Sequence, residues 1–332
     1  MSRRLVFRLS SIAVRSFVFA ALLAAPAARA GDNDVQLWRL GHPDDVAVCT
    51  KCDGTDRTIE PGDLNAQARF ARFATTLGLA LVPARFDPAA TTGQSGFELG
   101  FSAQVAIPRK TADGRDAPLD ANEWPTAGTR GTDPAPRALF VPTLSLRKGL
   151  GGSFELGMHA SMLGGSQIFA IGASVKWAAI EGLDVPIDLA LLVHGTRIIG
   201  TQELDLVSGG ADAILSLRLA AFGMVKLQPY AQFGLLMINA TSGVVDFKPQ
   251  TEDGRYPTDD DGVFRTVNFF QNRYGRAVVG LRLIAGVAVV GLEGGYAWGT
   301  NAIQHDSLPD GSAPPRQTTK LWSASGRLGL AF

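Results

Sequence analysis

The chain has 332 residues, 46% of them hydrophobic, with 31 Lys+Arg against 31 Asp+Glu and hence no net charge. That balance excludes a general nucleic-acid binder, which needs a basic excess to meet phosphates. The 38 glycines and 8% aromatics lean toward β-structure, and no run of eighteen apolar residues offers a transmembrane helix.

Residues 1–30 read as a secretory signal peptide. MSRRLVFRLSSIAVRS is basic and acid-free, Phe17 to Ala25 is apolar, and AARA ends at Ala30 in an A-x-A pattern. The mature chain is expected to begin near Gly31, in an oxidising compartment. There Cys49 and Cys52, the only two cysteines, are candidates for a small loop disulfide. A redox pair, half a zinc site or two free thiols are the alternatives. No second Cys pair or His pair lies nearby to complete a zinc site.

Residues 31–94 are expected to form a periplasmic N-terminal segment. Within it Ala66, Phe70, Phe73, Leu77 and Leu81 recur at helical spacing, so the segment carries a short amphipathic helix. Residues 77–82 would also suit a strand.

From Ser95 to the end the hydrophobic period changes to two. The alternation predicts ten strands near 95–107, 137–148, 152–164, 167–179, 185–198, 204–219, 224–240, 273–285, 287–299 and 320–332. Twelve are possible if 77–82 and 262–270 both pair. The strands exceed the usual ~5–6 residues of soluble proteins. Pro142 and Pro229 each remove a ladder donor and are expected at a bulge or kink. The joins are short on one side and long on the other, near 108–136, 241–272 and 301–319, as in an outer-membrane barrel. The fold class is therefore all-β, an antiparallel up-and-down transmembrane barrel over 95–332.

Alternation alone does not say which face points outward. Here the polar face is rich in Gly, Ser and Ala with isolated charges, which suits a crowded lumen better than a solvated surface. Trp322 and Phe332 are ten steps apart, and at ~3.3 Å per residue and a ~40° tilt they span roughly 25 Å, the height of a lipid-facing band.

The ending RLGLAF, with Phe332 last, resembles the carboxy-terminal signal of bacterial outer-membrane β-barrels. That resemblance implies residence in a bacterial outer membrane, lipid and lipopolysaccharide around the wall, and recognition of the last strand by the barrel-assembly machinery. TTGQSGFELG, LRKGLGGSFELG and the stretch from EGLDVPIDLAL to TQELDL resemble an uncharacterised family of outer-membrane barrel proteins. That likeness implies fold and location and nothing about chemistry.

The polar face places Glu98, Arg147, Glu155, His159, Lys176, Asp188, His194, Asp212, Arg218, Lys226, Arg276, Arg282, Glu293 and Arg327 in the lumen. Ten strands lie near the size at which side chains fill a barrel. Near-balanced charges in a narrow interior should pair, because an unpaired buried charge is costly. The expected role is thus structural, with a narrow polar pore as the rival. Surface binding through the long loops is a further alternative. His159 with Glu155, and His194 with Asp188, would give a carboxylate-oriented base, so a barrel hydrolase is the last alternative. No nucleophile or metal constellation stands beside them, and neither enzymatic activity nor a cofactor or metal is expected. The acidic loop around Asp259, Asp260 and Asp261 does not match a calcium-loop signature.

Overall fold

The computed structural model describes residues 31–41, 66–112, 115–126, 135–182, 186–221, 225–249, 261–270, 272–301 and 317–332. The signal peptide and both cysteines lie outside the described residues.

Ten long strands form the wall: β1 (Phe97–Ala112), β2 (Leu139–Gly149), β3 (Phe154–Met162), β4 (Phe169–Ile180), β5 (Ile187–Ile199), β6 (Leu204–Leu217), β7 (Val225–Ser242), β8 (Arg273–Ala285), β9 (Ala288–Asn301) and β10 (Gln317–Ala331). Each pairs antiparallel with the next, and β10 pairs with β1, so the barrel is closed. Closure leaves no unpaired sheet edge to face lipid. Every predicted strand is present, within a few residues of its predicted ends. The alternative of twelve fails. Residues 77–81 are helical, and within 261–270 only Asp261–Gly262 is a strand, paired with Val245–Asp246 outside the wall.

The prolines do not break the register. Pro142 pairs with Ala103 in the β1 ladder and lies just beyond the first residue of the β2–β3 ladder, Thr143. Pro229 pairs with Leu281 and lies just past the end of the β6–β7 ladder at Tyr230. Each proline therefore sits where one side is already unpaired and no ladder donor is lost. The one register shift in these ladders falls instead between Ala178 and Ile180, where β4 meets β5.

The apolar face points outward. Phe101, Phe140, Met158, Ile171, Val193, Phe233, Val279, Leu292 and Leu328 are all exposed, while Glu98, Glu155, Lys176, Asp212 and Arg327 are buried. In a soluble barrel this burial would be reversed. An apolar band of this extent needs lipid. Aromatics gather at both margins. Tyr296 packs on Trp322 and Trp298 at the long-loop end, and Phe154 stacks with Trp177 at the short-turn end. Among the described residues no helix is long and apolar enough to cross a membrane; the strands do so.

The helix α1 (Ala66–Leu81) forms where the periodicity placed it. Its surroundings differ from the expected periplasmic position, because it lies inside the barrel. Phe70, Phe73, Leu77 and Leu81 are buried, and so are Ala68, Ala71, Thr75 and Thr76 on the opposite side. A helix buried all round is enclosed rather than amphipathic at a surface. Its contacts run to β1, β2, β6, β7, β9 and β10, which face one another across the lumen. The small Ala, Thr and Gly residues that leave its second face weakly polar are what let it fit within the ring.

Candidate functional site

The lumen has two halves. Toward the long loops it holds an apolar core in which α1 packs against inward side chains such as Val141, Ile198, Leu206 and Ile238. Phe70 stacks on Phe264 at 4.7 Å, and Phe73 meets Trp124 edge-on at 5.1 Å. Arg72 pairs with Glu123 beside them.

Toward the short turns the chain leaves α1 and descends through the lumen without regular structure. Its backbone groups have no ladder, so the wall must supply partners. Gln104 accepts from the Ala84 N–H at 2.9 Å and donates to the Ala80 carbonyl at 3.0 Å. Glu293 accepts from the Phe86 N–H at 2.8 Å, and Ser216 from the Ala89 N–H at 3.0 Å. Gln232 donates to the Asp87 carbonyl at 3.0 Å, and Arg327 to the Arg85 carbonyl at 2.9 Å. Glu155 accepts from the Thr92 N–H at 2.7 Å. The polar residues of the wall thus hold an internal segment in place.

The charges join the same arrangement. Asp87 accepts from Arg147 Nη1 at 2.6 Å and from Lys176 Nζ at 2.5 Å. Lys176 also lies 3.0 Å from Glu155, its cross-strand neighbour, and donates to the carbonyls of Pro88 and Ala90. Glu98 gathers three guanidiniums: Arg147, Arg282 and Arg327, the last at 2.7 Å. Glu293 accepts from the Tyr230 hydroxyl at 2.7 Å and lies 3.7 Å from Arg276.

The remaining predicted residues lie elsewhere or pair otherwise than expected. Asp188 meets Arg218 at 2.9 Å at the short-turn rim, and Lys226 is exposed at the same end. His194 pairs with Asp212 at 3.3 Å rather than with Asp188, and His159 bonds to Thr196 at 3.1 Å rather than to Glu155. The reason is strand geometry. Residues four or six apart along one strand are separated by roughly 13 to 20 Å, whereas adjacent strands lie about 5 Å apart. His194 therefore reaches Asp212 on the next strand, and His159 reaches Thr196 across the side-chain-free Gly172 of the strand between them. Among the described residues no group of His, Cys, Asp or Glu could hold a metal ion.

Sequence reasoning missed Arg85 and Asp87, because PARFDPAATT carries no periodicity. It also missed the anchor at the other end. Leu37 donates its N–H to the Glu203 carboxylate at 2.7 Å, Asn33 donates to the Gly164 carbonyl at 2.8 Å, and the Gln36 N–H reaches the Pro125 carbonyl at 2.8 Å. Residues 31–41 therefore lie at the long-loop end, opposite Phe332. Glu203 has its pKa raised, because burial outweighs the bond from the Leu37 N–H.

No family model matches the chain, and no curated protein matches it. Solved barrels resemble it faintly. The attachment invasion locus protein Ail of Yersinia pestis is 12% identical, with 72% of this chain and 100% of that one covered and a TM-score of 0.26. For Neisserial surface protein A the values are 11%, 70%, 97% and 0.28. For the outer membrane protease OmpT of Escherichia coli they are 8%, 71%, 95% and 0.33. At these scores the likenesses carry no argument about what this chain does. The closed wall and its outward apolar band make it a transmembrane barrel of the outer-membrane kind.

Proposed function

We propose that this protein resides in a bacterial outer membrane as a self-plugged barrel that conducts no solute and holds residues 31–41 at the cell-surface end. The supporting observation is the placement of residues 66–92, which occupy the lumen from α1 near the long loops to Thr92 near the short turns, while Leu37 is held separately at the long-loop end. In barrels of this kind the short turns face the periplasm, which puts residues 31–41 outside. Lipid and lipopolysaccharide surround the wall, and the assembly machinery engages the strand ending at Phe332. In a planar bilayer the folded protein should be silent; discrete conductance steps from the intact chain would overturn the closed reading. A short tag placed before Asp34 should be labelled on intact cells. Labelling only after permeabilisation of the outer membrane would overturn the placement.

A second reading is surface binding through the long loops. Phe270 is 78% exposed at that end, where a partner could cover it. An enzymatic role has less support, since His159 and His194 both sit within the enclosed lumen.

A further inference from the structure

Six basic side chains are buried in the short-turn half of the lumen: Arg85, Arg147, Lys176, Arg276, Arg282 and Arg327. The buried acids Asp87, Glu98, Glu155, Asp212 and Glu293 face them, and a further buried acid, Asp188, is paired at the rim with Arg218. Arg147, Lys176, Arg276, Arg282 and Arg327 each lie within ion-pair distance of one of these acids. Arg85 does not. Its Nε and Nη2 are buried and make no hydrogen bond among the described residues, and the residue is only 8% exposed. A guanidinium cannot shed its proton to escape this position, and an uncompensated buried charge is costly.

Beside Arg85 lies a cavity of about 30 Å³, also lined by Ser145, His159, Ser174, Arg147 and Arg327. Asp87 lines it too, but its carboxylate is already taken by Arg147 and Lys176. A single water needs roughly 10–15 Å³ of such space, so the cavity has room for a small ion or for one or two waters. Its lining combines cationic donors and hydroxyls.

We propose that Arg85 and this cavity form a binding site for one small monovalent anion of the halide class. The ion supplies a counter-charge to Arg85 and takes hydrogen bonds from Arg85 and from the neighbouring Ser174 hydroxyl; the Ser145 hydroxyl already donates to the Gly100 carbonyl. It fastens the descending segment to the wall and is a structural ion rather than a transported one. This inference requires the lumenal path of residues 82–92 but not the absence of conductance.

The test compares the unfolding midpoint of the detergent-folded barrel in chloride, bromide and gluconate at equal ionic strength. The midpoint should rise with halide concentration and saturate, and gluconate should give no rise. Crystals grown in bromide should show an anomalous peak beside Arg85. Arg85→Gln should lose the halide dependence while retaining the barrel. Equal midpoints in all three salts, with no bromide peak, would mean that the cavity holds water and would overturn the proposal. A halide dependence of the same size in Arg85→Gln would overturn the assignment to Arg85. If that variant does not fold, the bromide peak in the intact chain decides.

Discussion

Asp87, on a segment with no regular structure, places one carboxylate oxygen 2.6 Å from Arg147 on β2 and 2.5 Å from Lys176 on β4. One side chain thus ties the internal segment to two wall strands that are not neighbours. The wall charges do not merely neutralise one another across the lumen, as strand patterning alone suggested; they converge on a piece of chain threaded between them.

Removing that carboxylate should be severe. Asp87→Ala leaves Arg147 and Lys176 with only Glu98 and Glu155, and breaking a buried pair from one side typically costs about 3–5 kcal/mol. The variant should unfold at lower denaturant in detergent. An unchanged midpoint would show that Asp87 does not anchor the segment.

The apolar half makes an independent prediction. Phe73 packs edge-on to Trp124 in a fully buried position. Phe73→Ala should lower stability by about 3–5 kcal/mol, the range for a large core aromatic. In a periplasmic helix outside the barrel the same change would leave barrel unfolding unmoved, so the measurement separates the two placements.

Glu203 makes the outer anchor sensitive to pH. Its folded pKa is raised above the ordinary 4.5, with burial the leading cause. The folded state then holds this proton more tightly than the unfolded chain does. The resulting stabilisation is fully present below 4.5 and is lost as pH rises through the folded value. Glu203→Gln keeps an acceptor for the Leu37 N–H and removes the titration. The stability difference between variant and parent should therefore grow in the variant's favour as pH rises from 4 to 8, read from paired unfolding midpoints. A difference independent of pH would contradict this.

Phe332 closes the wall by exchanging backbone hydrogen bonds with Phe97, at 2.8 and 2.9 Å. Its deletion removes that pair at the β10–β1 seam, together with an exposed aromatic at the short-turn margin. The fraction of chain reaching the heat-modifiable folded form should fall. The midpoint of the molecules that do fold should move much less, because the rest of the β1–β10 ladder is retained.

The wall was legible because a lipid-facing strand must alternate, and alternation survives in sequence: Glu98, Ser102 and Gln104 against Phe97, Phe101 and Val105 already show it. The plug was not. Ala84 meets Gln104 twenty positions on, but Arg85 to Ala90 and Thr92 draw their wall partners from sixty or more positions away, and no local period records that. A faint signal existed. Ile198-Ile199 and Leu235-Leu236 place apolar residues on both faces near the long-loop end, where Ile198 and Leu236 point inward to meet something apolar. The histidine pairings are not legible in sequence because residues close along one strand face lie farther apart in space than residues brought alongside from other strands.

A closed ring with its own chain passing through the middle constrains the order of events. Residues 66–92 precede every wall strand in sequence yet end up encircled by the closed wall. Either the sheet curls around a segment already lying in its concave face, or the segment is fed lengthwise through a finished cylinder. Phe73, Phe70 and the paired Arg72 are poor candidates for the second route. If the sheet curls around the segment, the β1–β10 seam is the final join, and α1 serves as the former around which the wall takes its curvature.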